Sequence, residues 1–132
     1  MHALPAKKIM MYLLILAAGL GIGSGIPYIV SALKPAYIKG DYSAYYPAGK
    51  ANVVLYGTNT CPYCIHARAF LRGRNIAFID RDVSASDENR REFAQLGRKA
   101  VPVILVGERL LTGFNPDDLE SALIKAGHGS KP

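Results

Sequence analysis

Val53-Val54-Leu55-Tyr56-Gly57-Thr58-Asn59-Thr60-Cys61-Pro62-Tyr63-Cys64-Ile65 is the stretch that decides the reading of this chain. An apolar run comes first, then four small or polar residues, then a Cys-x-x-Cys pair. A helix-like segment, Ile65 to Arg72, follows. Cys61 and Cys64 are the only cysteines in the 132 residues. A strand, a turn and a helix with the cysteines at the helix start is the layout of a dithiol/disulfide redox centre. A helix N-terminus presents free backbone N–H groups and the positive end of the helix dipole. Both favour thiolate, the attacking species in disulfide exchange.

Other readings of the pair are weaker. A structural zinc site needs two further Cys or His ligands at matching spacing. The chain offers only His2, His66 and His128, and His66, two residues past Cys64, points to another side of the helix. Haem attachment needs His directly after the second cysteine, where Ile65 stands. An inert disulfide across so short a loop constrains little of the unfolded chain.

Toward the C-terminus the pattern predicts βαβαββα over residues 52–128, one small domain. Strands are expected at Val53–Tyr56, Ala77–Asp80, Val103–Val106 and Leu110–Thr112, the last two joined through Gly107-Glu108. Helices are expected at Pro62–Arg72, Ser86–Leu96 and Pro116–Ala126. Pro62 and Pro116 suit a first helical position. Asp87, Glu88, Asp117 and Asp118 complement helix N-termini, Asn115 is a cap, and Gly97 and Gly127 follow helix ends.

Toward the N-terminus, residues 9–33 carry no charged side chain. About twenty apolar residues suffice to span a bilayer as a helix. The expectation is an N-terminal transmembrane helix or signal anchor, with a cleaved signal peptide ending near Val30-Ser31-Ala32 as the alternative. Gly19, Gly21, Gly23 and Gly25 make small-xxx-small patterns that let helices pack closely, and Pro27 is positioned to kink the helix. The resulting division is 1–8 tail, 9–33 membrane helix, 34–51 linker, 52–128 domain and 129–132 tail. Pro35, Gly40, Pro47 and Gly49 support the linker. Its tyrosines, Tyr37, Tyr42, Tyr45 and Tyr46, suit either a membrane interface or the domain surface. A short tail before the apolar run predicts a single-pass protein with its domain on the extracytoplasmic, periplasmic side, the cytoplasmic side being the alternative. The net charge is +6, yet residues 52–128 hold ten Lys/Arg against nine Asp/Glu. The basic excess thus flanks the apolar run, which gives no support to nucleic-acid binding.

The element order, the Cys61-Pro62-Tyr63-Cys64 motif and Val101-Pro102 before a strand resemble the glutaredoxins, members of the thioredoxin-like superfamily. The resemblance covers residues 52–126. It implies a thioredoxin-like α/β fold with a mixed four-stranded sheet. It implies a thiol–disulfide oxidoreductase in which Cys61 attacks and Cys64 resolves. It further implies a cis bond at Pro102, with the Val101 backbone beside the cysteines and pairing with substrate. Clients would be disulfide-bonded or glutathionylated proteins.

Two details depart from glutathione-using members. Gly57-Thr58-Asn59-Thr60 lacks the basic residue common before the first cysteine. Gly113-Phe114-Asn115-Pro116-Asp117 stands where many members have Gly-Gly and an acid, and is similar to the glutaredoxin-like redoxins that serve ribonucleotide reductase. The resemblance therefore leaves glutathione and a thioredoxin-reductase-like enzyme as candidate reductants, with no tightly bound cofactor. Candidate substrate-binding residues are Pro62, Tyr63, Arg98, Val101, Pro102, Gly113, Phe114, Asn115 and Asp117. Two alternatives belong to other classes: a thiolate module for an iron–sulfur cluster, and a redox-sensing interaction domain.

Overall fold

The computed structural model describes residues 5–33, 36–48 and 51–129, with the side chains of 20–33 outside the description. The expectations for Gly21, Gly23, Gly25 and Pro27, the ends of the linker at 34–35 and 49–50, and the terminal residues 1–4 and 130–132 lie outside the described residues. The chain divides into two compact units, Met1–Pro35 and Ala36–Pro132.

The first unit contains helix α1, Ala6–Leu33. Among the described residues no helix is long and apolar enough to cross a membrane. This corrects the expected transmembrane helix and the expected single-pass, periplasm-facing location. The physical reason is the difference between lacking charge and being apolar. Ile9 to Leu16 is strongly apolar, but residues 17–25 are mostly glycine, alanine and serine, which gain little from transfer into lipid.

The second unit is a mixed sheet of five strands, one more than expected. The strands are β1 (Ile38–Lys39), β2 (Val53–Gly57), β3 (Ile79–Asp82), β4 (Val103–Val106) and β5 (Arg109–Thr112). Their order is β1-β5-β4-β2-β3. Strands β2 and β3 are parallel, and the remaining pairs are antiparallel. The extra strand lies in the segment expected to be a linker. Ile38 pairs with Leu110 and Lys39 with Arg109, and the Gly40 N–H reaches the Glu108 carbonyl at 3.0 Å.

Every residue of β2 and β4 is buried, so both faces of the sheet need cover. On one face lie α2 (Pro62–Gly73) and α4 (Pro116–Lys125). Ala67 and Leu71 of α2 and Leu119, Ala122 and Leu123 of α4 pack on Val53, Leu55, Ile104, Val106 and Leu111. On the other face Phe93 of α3 (Asp87–Gln95) and the adjoining Leu96 cover Val54, Tyr56, Val103, Leu105 and Leu110. Tyr42, Tyr45 and Tyr46 complete that cover. The Tyr46 hydroxyl donates to the Gly107 carbonyl at 2.8 Å.

Strand β3 starts two residues later than the sequence pattern suggests. Its charged residues tolerate a strand because each has a partner on its own side. Asp80 meets Arg68 of α2, and Arg81 meets Glu92 of α3 at 3.6 Å. Alternation along a strand sends these neighbours to opposite faces.

Candidate active site

Cys61 is the N-cap of α2, in extended conformation at φ −82° and ψ 118°, with Pro62 opening the helix. Its carbonyl accepts the Ile65 N–H at 3.1 Å, the first bond of the helix. Its side chain makes no cap bond, so the sulfur stands at the helix end, half-buried. The thiol donates to the Val101 carbonyl at 3.9 Å. Cys64 lies one turn inside and is fully buried. Both are free thiols.

The two thiols differ in acidity. Burial works against the Cys61 thiolate, but the Cys64 side chain, the N–H groups of Cys64 and Tyr63, and the charge of Arg68 outweigh it. The Cys61 pKa is lowered from the ordinary thiol value of 9.0. Burial and the bond to Cys61 push the Cys64 pKa up to about 11, against a Thr58 N–H and Arg68 that favour its thiolate. One sulfur is poised to attack, and the other is held protonated behind it.

The Val101-Pro102 peptide is cis, as the resemblance implied. The Pro102 carbonyl accepts the N–H of Gly113 at 2.8 Å, which joins the Gly113 loop to this turn. Gly113 has φ +81°, a region that favours glycine. Phe114 packs edge-on against His66 and Phe70 of α2, at centroid distances of 6.5 and 5.7 Å. Tyr63, 61% exposed, and Ile65, 49% exposed, form the open rim.

Other expected site residues stand differently. Asn115 caps α4, accepting the N–H groups of Asp117 at 3.0 Å and Asp118 at 3.3 Å. Those two donors are therefore occupied, and the side chain of Asp117 is exposed. Arg98 directs its Nε to the Leu96 carbonyl at 3.3 Å, and its charge is felt by Tyr42 on the opposite face of the sheet.

Three residues beneath the cysteines escape sequence reasoning. Arg68 is 6% exposed. Its Nε and Nη2 donate to the two carboxylate oxygens of Asp80 at 2.7 and 3.0 Å, and its Nη1 donates to the Thr58 carbonyl at 2.9 Å. The available signal was an arginine four residues after Cys64, on the helix face that also buries Leu71. Asp80, the second, stands at the end of an expected strand, with no local sign of its partner. Gly57 is the third. A Cβ there would lie 2.9 Å from the Cys64 sulfur, so only glycine lets β2 pass this close to the thiol.

Comparison with known proteins bears on this site. The glutaredoxin family profile matches residues 53–111. The glutaredoxin-like 8.6 kDa protein in the rubredoxin operon of Clostridium pasteurianum is 31% identical over 74 residues, 55% of this chain and 99% of its own length. A glutaredoxin of Pseudomonas aeruginosa is 40% identical over 76 residues, 57% of this chain and 87% of its own. Among solved structures, the glutaredoxin grx-1 from Archaeoglobus fulgidus superposes with a TM-score of 0.51 at 26% identity, covering 57% of this chain and 88% of its own.

Proposed function

The chain belongs to the glutaredoxin family, and on that premise we propose that it reduces protein disulfides or glutathione mixed disulfides through the Cys61–Cys64 dithiol. The observation that carries this reading is the pair's asymmetry of place. Cys61 stands half-exposed at the helix cap, and Cys64 is sealed one turn inside.

Cys61 thiolate attacks a client sulfur, forming a mixed disulfide and releasing the first client thiol. Cys64 then displaces the client and leaves the Cys61–Cys64 disulfide. Glutathione or a thioredoxin-reductase-like enzyme returns the pair to the dithiol. The Val101 backbone beside Cys61 offers an extended client a place to pair. Pro62, Tyr63, Pro102 and the Gly113-Phe114-Asn115 loop shape the rim, with Asp117 at its edge. Arg98 contributes from further off. Residues 52–128 carry the chemistry, and residues 36–48 complete the fold they sit in.

The test is turnover of a glutathionylated peptide and of a protein disulfide, each with glutathione alone and with a thioredoxin reductase. Reduction of either, with an internal disulfide as the oxidised product, supports the reading. No reduction with any combination contradicts it.

A further inference from the structure

We propose, resting on the dithiol reading above, that Arg68 is a positioning residue for the second thiol transfer, holding the Thr58 peptide and its own charge against Cys64. The geometry is direct. Arg68 follows Cys64 by one helical turn, on the same buried face. Its fork is fixed at both ends, by the two oxygens of Asp80 and by the Thr58 carbonyl. The other side of the Thr58 residue carries the N–H that favours the Cys64 thiolate. Thus Asp80 aims Arg68, and Arg68 holds the Thr58 carbonyl, next in the chain to Gly57, whose backbone lies directly against the Cys64 sulfur. A buried guanidinium is a poor stabiliser, because desolvation consumes most of its pairing energy. Its planar fork, however, fixes two groups at once in a way lysine does not.

The second transfer shows where this matters. In the first, the Cys61 thiolate bonds to a client sulfur, the client S–S bond breaks, and the departing thiolate takes a proton from water. Cys64 next gives its proton to solvent. Its thiolate bonds to the Cys61 sulfur, the Cys61–client bond breaks, and the second client thiolate leaves. The client disulfide gains two electrons and the CPYC pair loses two. During this step the Cys61 sulfur is bonded to the client, so its own opposition to a Cys64 thiolate is gone. Among the described residues, the charged groups left around Cys64 are Arg68 and, acting on Arg68, Asp80 and Asp82. Burial then opposes the thiolate, while the Thr58 N–H and Arg68 support it.

An aryl disulfide that releases a coloured thiolate separates the two steps in the full chain. The first equivalent reports attack by Cys61, and the second reports resolution by Cys64. In Arg68→Met the second release is expected to slow roughly tenfold at neutral pH, its pH midpoint rising by about one unit, with the first release within about threefold of wild type. Arg68→Lys keeps a charge without the fork and is expected to fall between. If Arg68→Met does not fold, Arg68→Lys decides alone, by slowing of the second release only. An unchanged second release in whichever variant folds, or equal slowing of both releases, overturns the proposal. A wild type that releases one equivalent overturns the dithiol reading itself, and is thereby told apart from a failure of Arg68.

Discussion

The two faces of the sheet are covered in different ways, and the difference separates chemistry from stability. On the α2–α4 face, the cation from the helix is sealed: Arg68 has a side chain 7% exposed and follows Cys64 by one turn on the buried side of α2. On the α3 face, Arg81 and Glu92 are each 27% exposed, and Glu92 accepts the Tyr56 hydroxyl at 3.0 Å. There the rest of the cover is Phe93, Leu96 and three tyrosines. Strand alternation accounts for the split, since Asp80 and Arg81 are neighbours in β3 pointing to opposite faces. A closed, paired charge beside a sulfur alters its reactivity. A half-open pair at a distance from the sulfurs holds structure. Changes on the first face should therefore alter thiol chemistry, and changes on the second should alter stability alone.

The largest test of this division is on the first face. Cys61→Ser is expected to abolish disulfide reduction, and Cys64→Ser to stop at the mixed disulfide, which mass spectrometry detects. Retained activity in Cys61→Ser with loss in Cys64→Ser would reverse the two roles. On the second face, a chain starting at Asn52 loses β1 and the tyrosine cover. It is expected to be less stable than a chain starting at Ala36 by about 2 kcal/mol or more, with the rate of Cys61 attack per folded molecule unchanged. Equal urea midpoints for the two chains would show that the tyrosines are not part of the fold.

Gly57→Ala probes the first face more gently. The new methyl meets the Cys64 sulfur, so a loss of about 1–3 kcal/mol is expected together with slower resolution. A loss of stability with resolution untouched would uncouple β2 from the thiol.

Tyr46→Phe is the smallest, about 1 kcal/mol for the lost bond to Gly107, read by denaturation. It also has a pH signature. Burial raises the Tyr46 pKa above 10.0, so unfolded Tyr46 ionises first and stability falls as pH rises past that value. Cys64, raised from 9.0 to about 11, adds to the same alkaline loss across that window. Tyr46→Phe and Cys64→Ser should each flatten the decline. A decline identical in all three proteins would remove both groups from its cause.

Much of this site was legible because its chemistry is local. The CPYC pair at a helix start, the Val101-Pro102 turn and the cap at Asn115 each act within a few residues, and each is found where the sequence places it. What escaped depends on distant partners. Ala77 and Phe78 looked more strand-like than Arg81 and Asp82, whose burial cost is met by Glu92, Asn89 and Ser84. The tyrosines between 37 and 46 were conspicuous, but their partner is a sheet edge and a carbonyl at Gly107 that no local pattern announces. Nothing local sets Arg68 apart from an ordinary helix cation, because its partner Asp80 comes from another strand. The N-terminal run is free of charge, but its glycines, alanines and serines leave it less apolar than a membrane span requires.

The central claim is that one motif holds two unlike thiols, and its most direct test is alkylation of the reduced protein as a function of pH, with the modified cysteine identified by mass spectrometry. Cys61 is expected to react first at every pH, with a midpoint below that of an ordinary thiol. Cys64 is expected to stay protected until the pH approaches about 11. Reaction of Cys64 first, or of both cysteines with one shared midpoint near the ordinary thiol value, would contradict the account.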